Sequence, residues 1–285
     1  MQSVMQKDYA LLSFASLNEG VCVSSETCAF QVTNADYIDD VAPGEIIGFT
    51  PKGMIRTHYT TACDHHMCAM EYVYFSRPDS ELDGINVHNA RKRSGMIMAK
   101  RDKDIQADIV VGVPDSSTSA AIGYAEQSRI PFELGLIKNR YVGRTFIKQP
   151  RNKEERGVKI EVIRCTFDLA VQGKRVIMVD DSIVRGTTSG RIVKLLRDAG
   201  AKEVHVRISA PAFKWPCFFG TDIPDRDLLI ANNHTTEETR KIINADSLEY
   251  LSLENLHNIA PNSSCGFCDA CFTGNYPVEV DHLLK

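Results

Sequence analysis

The run Val176-Ile-Met-Val-Asp-Asp-Ser-Ile-Val-Arg-Gly-Thr-Thr188 reads as an apolar strand that ends in two adjacent carboxylates, followed by a short loop rich in Ser, Thr and Gly and then the start of a helix. Each part has a physical use. Backbone N–H groups of such a loop and of the helix N-terminus can cradle a phosphate. The hydroxyls of Ser182, Thr187 and Thr188 add donors, and Gly186 lets the chain approach closely. Asp180 and Asp181 would repel that phosphate; they suit the hydroxyls of a sugar, or Mg2+ held partly through water. Together the parts describe a site for a ribose 5-phosphate. The plain alternative is a strand ending in a capped turn, and two acidic residues followed by Gly-Thr-Thr count against it. A Walker phosphate loop is excluded, because no Gly-Lys-[Ser/Thr] occurs here.

The flanking sequence places this run in an alternating pattern. Residues 87–100 are helical in composition, with Arg91, Lys92 and Arg93 expected as a solvated face. Residues 108–114 form a short apolar run of the kind that becomes a buried parallel strand. A helix over 119–128, a strand over 133–137, the strand 174–181, a helix over 190–199 and a strand over 202–209 follow. Gly200 sits where a helix-ending glycine belongs, and Thr235-Thr-Glu-Glu238 is a capping-box pattern opening one more helix. Strands alternating with helices predict an α/β domain with a mainly parallel sheet. The first sixty residues are instead β-rich. Residues 44–50 and 54–59 around Pro51-Lys-Gly53 read as a hairpin, Leu17-Asn-Glu-Gly20 as another turn, and Val21-Cys-Val-Ser24 as a strand. These strands lack a complete core pattern and look like part of something larger.

Composition is that of an ordinary globular chain: 285 residues, 43% hydrophobic and 25% charged. The net charge of −4 argues against a general nucleic-acid or anionic-membrane surface. No apolar run approaches the ~18 residues of a membrane helix. The start, Met1 to Asp8, has no hydrophobic signal core, so a cytoplasmic location is expected. Nine cysteines, at 22, 28, 63, 68, 165, 217, 265, 268 and 271, are too uneven for a secreted disulfide framework. Cys265-x-x-Cys268-x-x-Cys271 has ferredoxin-like spacing, and from spacing alone iron–sulfur and zinc are both open. Either needs a distant fourth ligand. Cys28 and Cys165 read as small buried hydrophobes, Trp215 as packing, and His65 and His66 as polar residues without a role.

The segment 180–188 resembles the phosphoribosyl-pyrophosphate (PRPP) signature of type I phosphoribosyltransferases. Further motifs are similar to one family among them, the glutamine PRPP amidotransferases, or amidophosphoribosyltransferases. Glu71-Tyr-Val-Tyr-Phe-Ser-Arg-Pro-Asp-Ser80 looks like that family's segment joining two halves, Val113-Pro-Asp-Ser-Ser117 like its pyrophosphate loop, and Lys138-Asn-Arg-Tyr-Val-Gly-Arg-Thr-Phe146 like its flexible catalytic loop. The resemblance implies a type I phosphoribosyltransferase fold with a mainly parallel sheet, preceded by a short β-rich remnant of an N-terminal nucleophile glutaminase domain. The corresponding segments are 1–62 (remnant), 63–260 (transferase) and 261–285 (cysteine tail).

Roles follow position by position. Asp115, Ser116, Ser117, Asp180 and Asp181 would bind PRPP, with Mg2+ on Ser116, Asp180 and Asp181. Ser182, Ile183, Val184, Arg185, Gly186, Thr187 and Thr188 would hold the 5-phosphate. Lys138, Arg140, Tyr141 and Arg144 would close over the substrate, where cationic groups suit the growing charge of departing pyrophosphate. The implied reaction is attack of ammonia on C1 of PRPP, with inversion, giving 5-phosphoribosylamine and pyrophosphate at the first step of purine (IMP) biosynthesis. Cys22, the first cysteine, lies in a strand, so the glutaminase nucleophile is expected to be absent; free ammonia or a separate glutaminase chain would then serve. The tail Cys-x-x-Cys-Phe-Thr-Gly-x-Tyr-Pro is similar to the family's iron–sulfur branch, which implies a 4Fe–4S cluster on Cys68, Cys217, Cys268 and Cys271, with Cys265 spare. Purine nucleotides as feedback ligands and a homo-oligomer are further implications. Residues 157–170 depart from the family's usual basic segment. The competing expectation is a PRPP-binding regulatory module on the same fold without catalysis.

Overall fold

Apolar runs that lack polar alternation form the middle of a sheet buried on both faces. In the computed structural model, which describes residues 12–18, 20–60, 66–138, 163–165, 168–220, 225–261 and 266–280, these runs are β1 (Ile109–Gly112) and β2 (Arg175–Asp180), while β3 (Glu203–Ile208) alternates, with Val204, Val206 and Ile208 set between Glu203, His205 and Arg207. With β4 (Ser247–Tyr250), a strand that the sequence pattern does not announce, they make an all-parallel sheet in the order β4-β3-β2-β1. Val176 lies beside both Ile109 and Val204, and Val179 beside Gly112. The expected α/β class and mainly parallel sheet are therefore found, within a unit comprising residues 91–216 and 225–259.

Three helices frame the sheet: α1 (Val87–Arg101), which belongs to this unit from Arg91 on, α2 (Thr118–Ser128) and α3 (Thr187–Asp198). α2 packs on β1 and β2, and α3 on β3. Ile192, Val193 and Leu196 of α3 join Ile109, Val111, Val176, Met178, Val204, Val206 and Ile208 in one buried cluster. α1 and α2 touch through glycine. A Cβ on Gly95 would lie 1.8 Å from the Ala120 carbonyl oxygen, and one on Gly123 would lie 1.9 Å from that of Lys92. Beneath the sheet, Arg207 of β3 pairs with Asp102, which also accepts from the Tyr124 hydroxyl at 2.7 Å, and Arg207 donates to Ser247 Oγ at 2.9 Å. This buried network ties the end of α1 to α2, β3 and β4. The capping box forms as read: Thr235 and Glu238 exchange side-chain-to-backbone bonds at the start of α4 (Thr236–Ile242).

One expectation is corrected here. Arg91 does not belong to a solvated face; it is 3% exposed. Lys92 pairs with Glu126 at 2.7 Å, and Arg93 donates to the Ile259 carbonyl. Residues 87, 90, 91, 94, 95 and 98 form the buried stripe of α1, and Arg91 falls on it.

The other unit comprises 1–90, 217–224 and 260–285. Its strands Gly20–Ser24, Ser13–Leu17 and Asp36–Asp40 form an antiparallel sheet in that order, and Glu45–Thr50 pairs with Gly53–His58 as the expected hairpin. A helix, Cys28–Thr33, interrupts the β-rich stretch and ends at Asn34 in the left-handed region. Val21, Val23, Tyr37, Ile38, Met54 and Ile55 are exposed. His66–Cys68 pairs in parallel with Gly266–Cys268, with Cys68 opposite Cys268. The edge-to-face contact of Tyr72 with Phe267, ring centroids 5.8 Å apart, packs beside that pairing.

Candidate active site

The site lies at the carboxyl ends of β1 and β2, the edge at which open α/β sheets bind ligands. Asp180 is the last residue of β2, and its carbonyl oxygen accepts from Ser209 N at 2.9 Å. The loop after β1 is held by Val113 N donating to Val179 O at 2.9 Å, and Ser117 N donating to Val113 O at 3.2 Å. This brings two serines onto two carboxylates. Ser117 Oγ donates to Asp180 Oδ1 at 3.2 Å, and Ser116 Oγ donates to Asp181 Oδ2. Ser182 Oγ donates to Asp181 Oδ1 at 2.6 Å, and Asp181 N to Asp180 Oδ1 at 2.9 Å.

Asp180 and Asp181 are both buried, and both carboxyls are pushed above the usual range. For Asp180 burial is the main cause, the charge of Asp181 is the second, and the result is a pKa of about 8. Asp181 is raised by burial too, but the hydroxyls of Ser116 and Ser182 and the charge of Arg91 pull it back. Arg91 is thus an electrostatic partner of the site that the sequence reading missed. Its place on the helical stripe with Ala90 and Ser94 was the available signal.

Beyond the carboxylates, α3 begins at Thr187, three residues earlier than the pattern suggests, with Gly186 as its cap at φ +75. No side chain caps this end and no acid lies in its first turn. Its first-turn N–H groups, with the exposed Thr187 and Thr188, therefore remain available to an anion. A Cβ on Gly186 would come within 2.6 Å of Ile230 Cδ1, and Ile230 N donates to Val184 O at 2.9 Å. Ile183 points into the core and Arg185 is exposed, so the residues of 182–188 act differently. Ser182 orients a carboxylate, Ile183 and Val184 anchor the loop, and Gly186 to Thr188 present donors. Lys138 reaches Asp115 at 3.2 Å in a solvent-facing pair. Arg140, Tyr141 and Arg144 lie outside the described residues, as do Cys63, His65 and Cys265.

In the other unit, Cys68, Cys217, Cys268 and Cys271 are all reduced. Burial pushes the Cys68 thiol up to about 12, and those of Cys268 and Cys271 also rise through burial. Cys271 is raised further by Cys68, Cys217 and Cys268, so the four side chains sense one another electrostatically. Among the described residues no three His, Cys, Asp or Glu side chains are grouped as a site for a single metal ion. No described helix is long and apolar enough to cross a membrane.

A parallel sheet carrying two buried carboxylates and an uncapped, acid-free helix start defines a phosphoribosyltransferase domain, and the family model described as "Phosphoribosyl transferase domain" matches residues 86–212. The chain belongs to the amidophosphoribosyltransferase family: it is 52% identical over 273 residues to the amidophosphoribosyltransferase of Bacillus subtilis and 45% identical over 273 residues to that of Archaeoglobus fulgidus. Each match covers 94% of this chain, which spans 57% and 59% of those relatives' lengths. Among solved structures, glutamine PRPP amidotransferase from B. subtilis complexed with ADP and GMP superposes with a TM-score of 0.86 at 50% identity, covering 96% of this chain and 61% of that one.

Proposed function

We propose that this chain carries the synthase half of an amidophosphoribosyltransferase, transferring ammonia to C1 of PRPP to release pyrophosphate and 5-phosphoribosylamine, the first step of purine biosynthesis. The observation that carries the reading is the Asp180–Asp181 pair, held by Ser117 and Ser116 next to the free first turn of α3. The 5-phosphate would lie on the N–H groups of that turn and on Thr187 and Thr188. The carboxylates would accept from ribose hydroxyls and, with Ser116, hold Mg2+. The donor set fits such a cation: two hard oxygen ligands are buried together and gain from a nearby positive charge. Bound Mg2+ would supply charge neutralisation to the departing pyrophosphate. Lys138, with Arg140, Tyr141 and Arg144, would close on that leaving group. Neutral ammonia attacks without a general base, so positioning and electrostatics do the work.

Cys68, Cys217, Cys268 and Cys271 would hold a structural 4Fe–4S cluster. Four free cysteines in mutual electrostatic reach, Cys268 buried and the other three half-buried, with Cys68 opposite Cys268 across a parallel pairing, support this reading. Iron and acid-labile sulfide after anaerobic purification are expected; zinc alone would overturn it. Purine nucleotides would be ligands too, as ADP and GMP are of the B. subtilis enzyme. The direct test of the activity is ammonia-dependent pyrophosphate release from PRPP. The Asp180→Asn, Asp181→Asn double variant should lose about a hundredfold or more in rate. An unchanged rate refutes the site, and PRPP binding without turnover would favour the regulatory module.

A further inference from the structure

The sheet-bearing unit contains a cavity of about 630 Å³ that none of these roles uses. It lies past the carboxyl ends of β3 and β4, and neither Asp115–Ser117 nor Asp180–Thr188 lines it. Its volume falls within the range of small-molecule sites, about 300–1,000 Å³.

Two observations separate it from a packing gap. Thr239, 1% exposed, and Tyr250 both line it, and their buried hydroxyls have no hydrogen-bond partner. Among the described residues they are the only buried side-chain polar atoms in that condition. Buried hydroxyls are ordinarily satisfied, so each such exception calls for an explanation. The second observation is charge. Arg101, Lys214 and His234 line the cavity together with Glu238 and Glu249. Glu238 is committed to the capping box, accepting from Thr235 N at 2.8 Å and Thr235 Oγ at 2.9 Å, and Glu249 faces Arg101 at 4.0 Å. The Lys214 ammonium has no carboxylate partner among the described residues.

We propose that this cavity is a second small-molecule site, one that takes a phosphate-bearing ligand. Lys214 and Arg101 receive the phosphate, and the hydroxyls of Thr239 and Tyr250 are the partners for the polar body behind it. The phosphate has two sources: free inorganic phosphate, or a phosphate ester large enough to fill the space.

The neighbouring residue supplies a reporter. Trp215 is the only tryptophan of the chain, and the Arg226 guanidinium stacks 3.6 Å from its ring centroid while donating to the Lys214 carbonyl at 3.2 Å. Inorganic phosphate and glucose 6-phosphate are titrated separately into the whole chain, by calorimetry and by Trp215 fluorescence. The same titrations are run on Lys214→Met, an exposed position that leaves the core intact, and on Thr187→Val, which removes one hydroxyl donor from the PRPP loop. Saturable binding with a fluorescence change is expected in the unaltered chain and in Thr187→Val, weakened about tenfold or more in Lys214→Met. A response to glucose 6-phosphate alone identifies the ester as the source; a response to both identifies the phosphate. Binding lost in Thr187→Val but kept in Lys214→Met overturns the proposal, as does the absence of saturable binding with either probe.

Discussion

Replacing Asp180 by Asn should stabilise the free protein, and increasingly so as the pH rises. In the folded chain the Asp180 carboxyl is lifted to about 8, first by burial and then by the charge of Asp181. In the unfolded chain an aspartate titrates near ~3.9. Between those two values the folded state keeps a proton that the unfolded state has released. Stability therefore falls with rising pH, by up to about 1.4 kcal/mol per pH unit for one proton. This is the reverse of a salt-bridged carboxylate, whose contribution is lost on acidification. From pH 5 to 7 the fall continues in this one direction and is on the order of a few kcal/mol. Asn has no proton to lose and escapes it. Other groups titrate alike in both proteins and cancel in the difference. Urea unfolding over this range, with chelator and without PRPP, gives the two free energies. Their difference should widen by about 1 kcal/mol or more per pH unit. A difference that stays flat with pH would refute the reasoning, since Asp180 would then titrate in the fold as it does in the open chain. Adding Mg2+ and PRPP at about a hundred times the dissociation constant should raise the unaltered chain alone, by about 2.7 kcal/mol.

Two further outcomes follow from local geometry. Gly123→Ala would place a methyl group 1.9 Å from the Lys92 carbonyl oxygen, so α1 and α2 must part. A loss of about 1–3 kcal/mol or more is expected in chemical denaturation, and an unchanged midpoint would contradict the close approach. Thr235→Ala removes one half of the capping box at α4. It should lower stability by about 1 kcal/mol, measured as a shift in thermal midpoint, whereas Thr235→Ser should retain most of it.

The parallel sheet was legible because a strand covered on both faces cannot alternate, and residues 108–114 and 174–181 do not. The carboxylate pair and the hydroxyl-rich loop were legible for a similar reason, since the phosphate-binding chemistry is contiguous in sequence. What escaped depends on distant partners. The parallel pairing of His66–Cys68 with Gly266–Cys268 joins segments far apart in the chain, and no local pattern encodes it, although the family resemblance groups Cys68 with Cys268. Arg91 sits in a run of three basic residues that by composition belongs in water; only the stripe of α1 and the nearby charge of Asp181 explain its burial. Cys28–Thr33 carries Val and Thr, whose stiff side chains favour strands, and its helix is closed by the left-handed Asn34 rather than by propensity. The early start of α3 has a similar origin. Thr187, Thr188 and Ser189 are modest helix formers, and the turn at Gly186 starts the helix regardless.

The glycine contact between α1 and α2 also bears on which side of the site can give way. α2 begins directly after Ser117, and its carbonyls rest against the backbone of its neighbour, with no side chains between them to act as bearings. A helix seated in that way cannot slide or roll without lifting off. The serines are consequently the fixed jaw of the site. The loop after β2 is seated by side chains instead, Ile183 in the core and Ile230 behind Gly186, with one backbone hydrogen bond to Val184, so its hold is of the kind that repacking can alter.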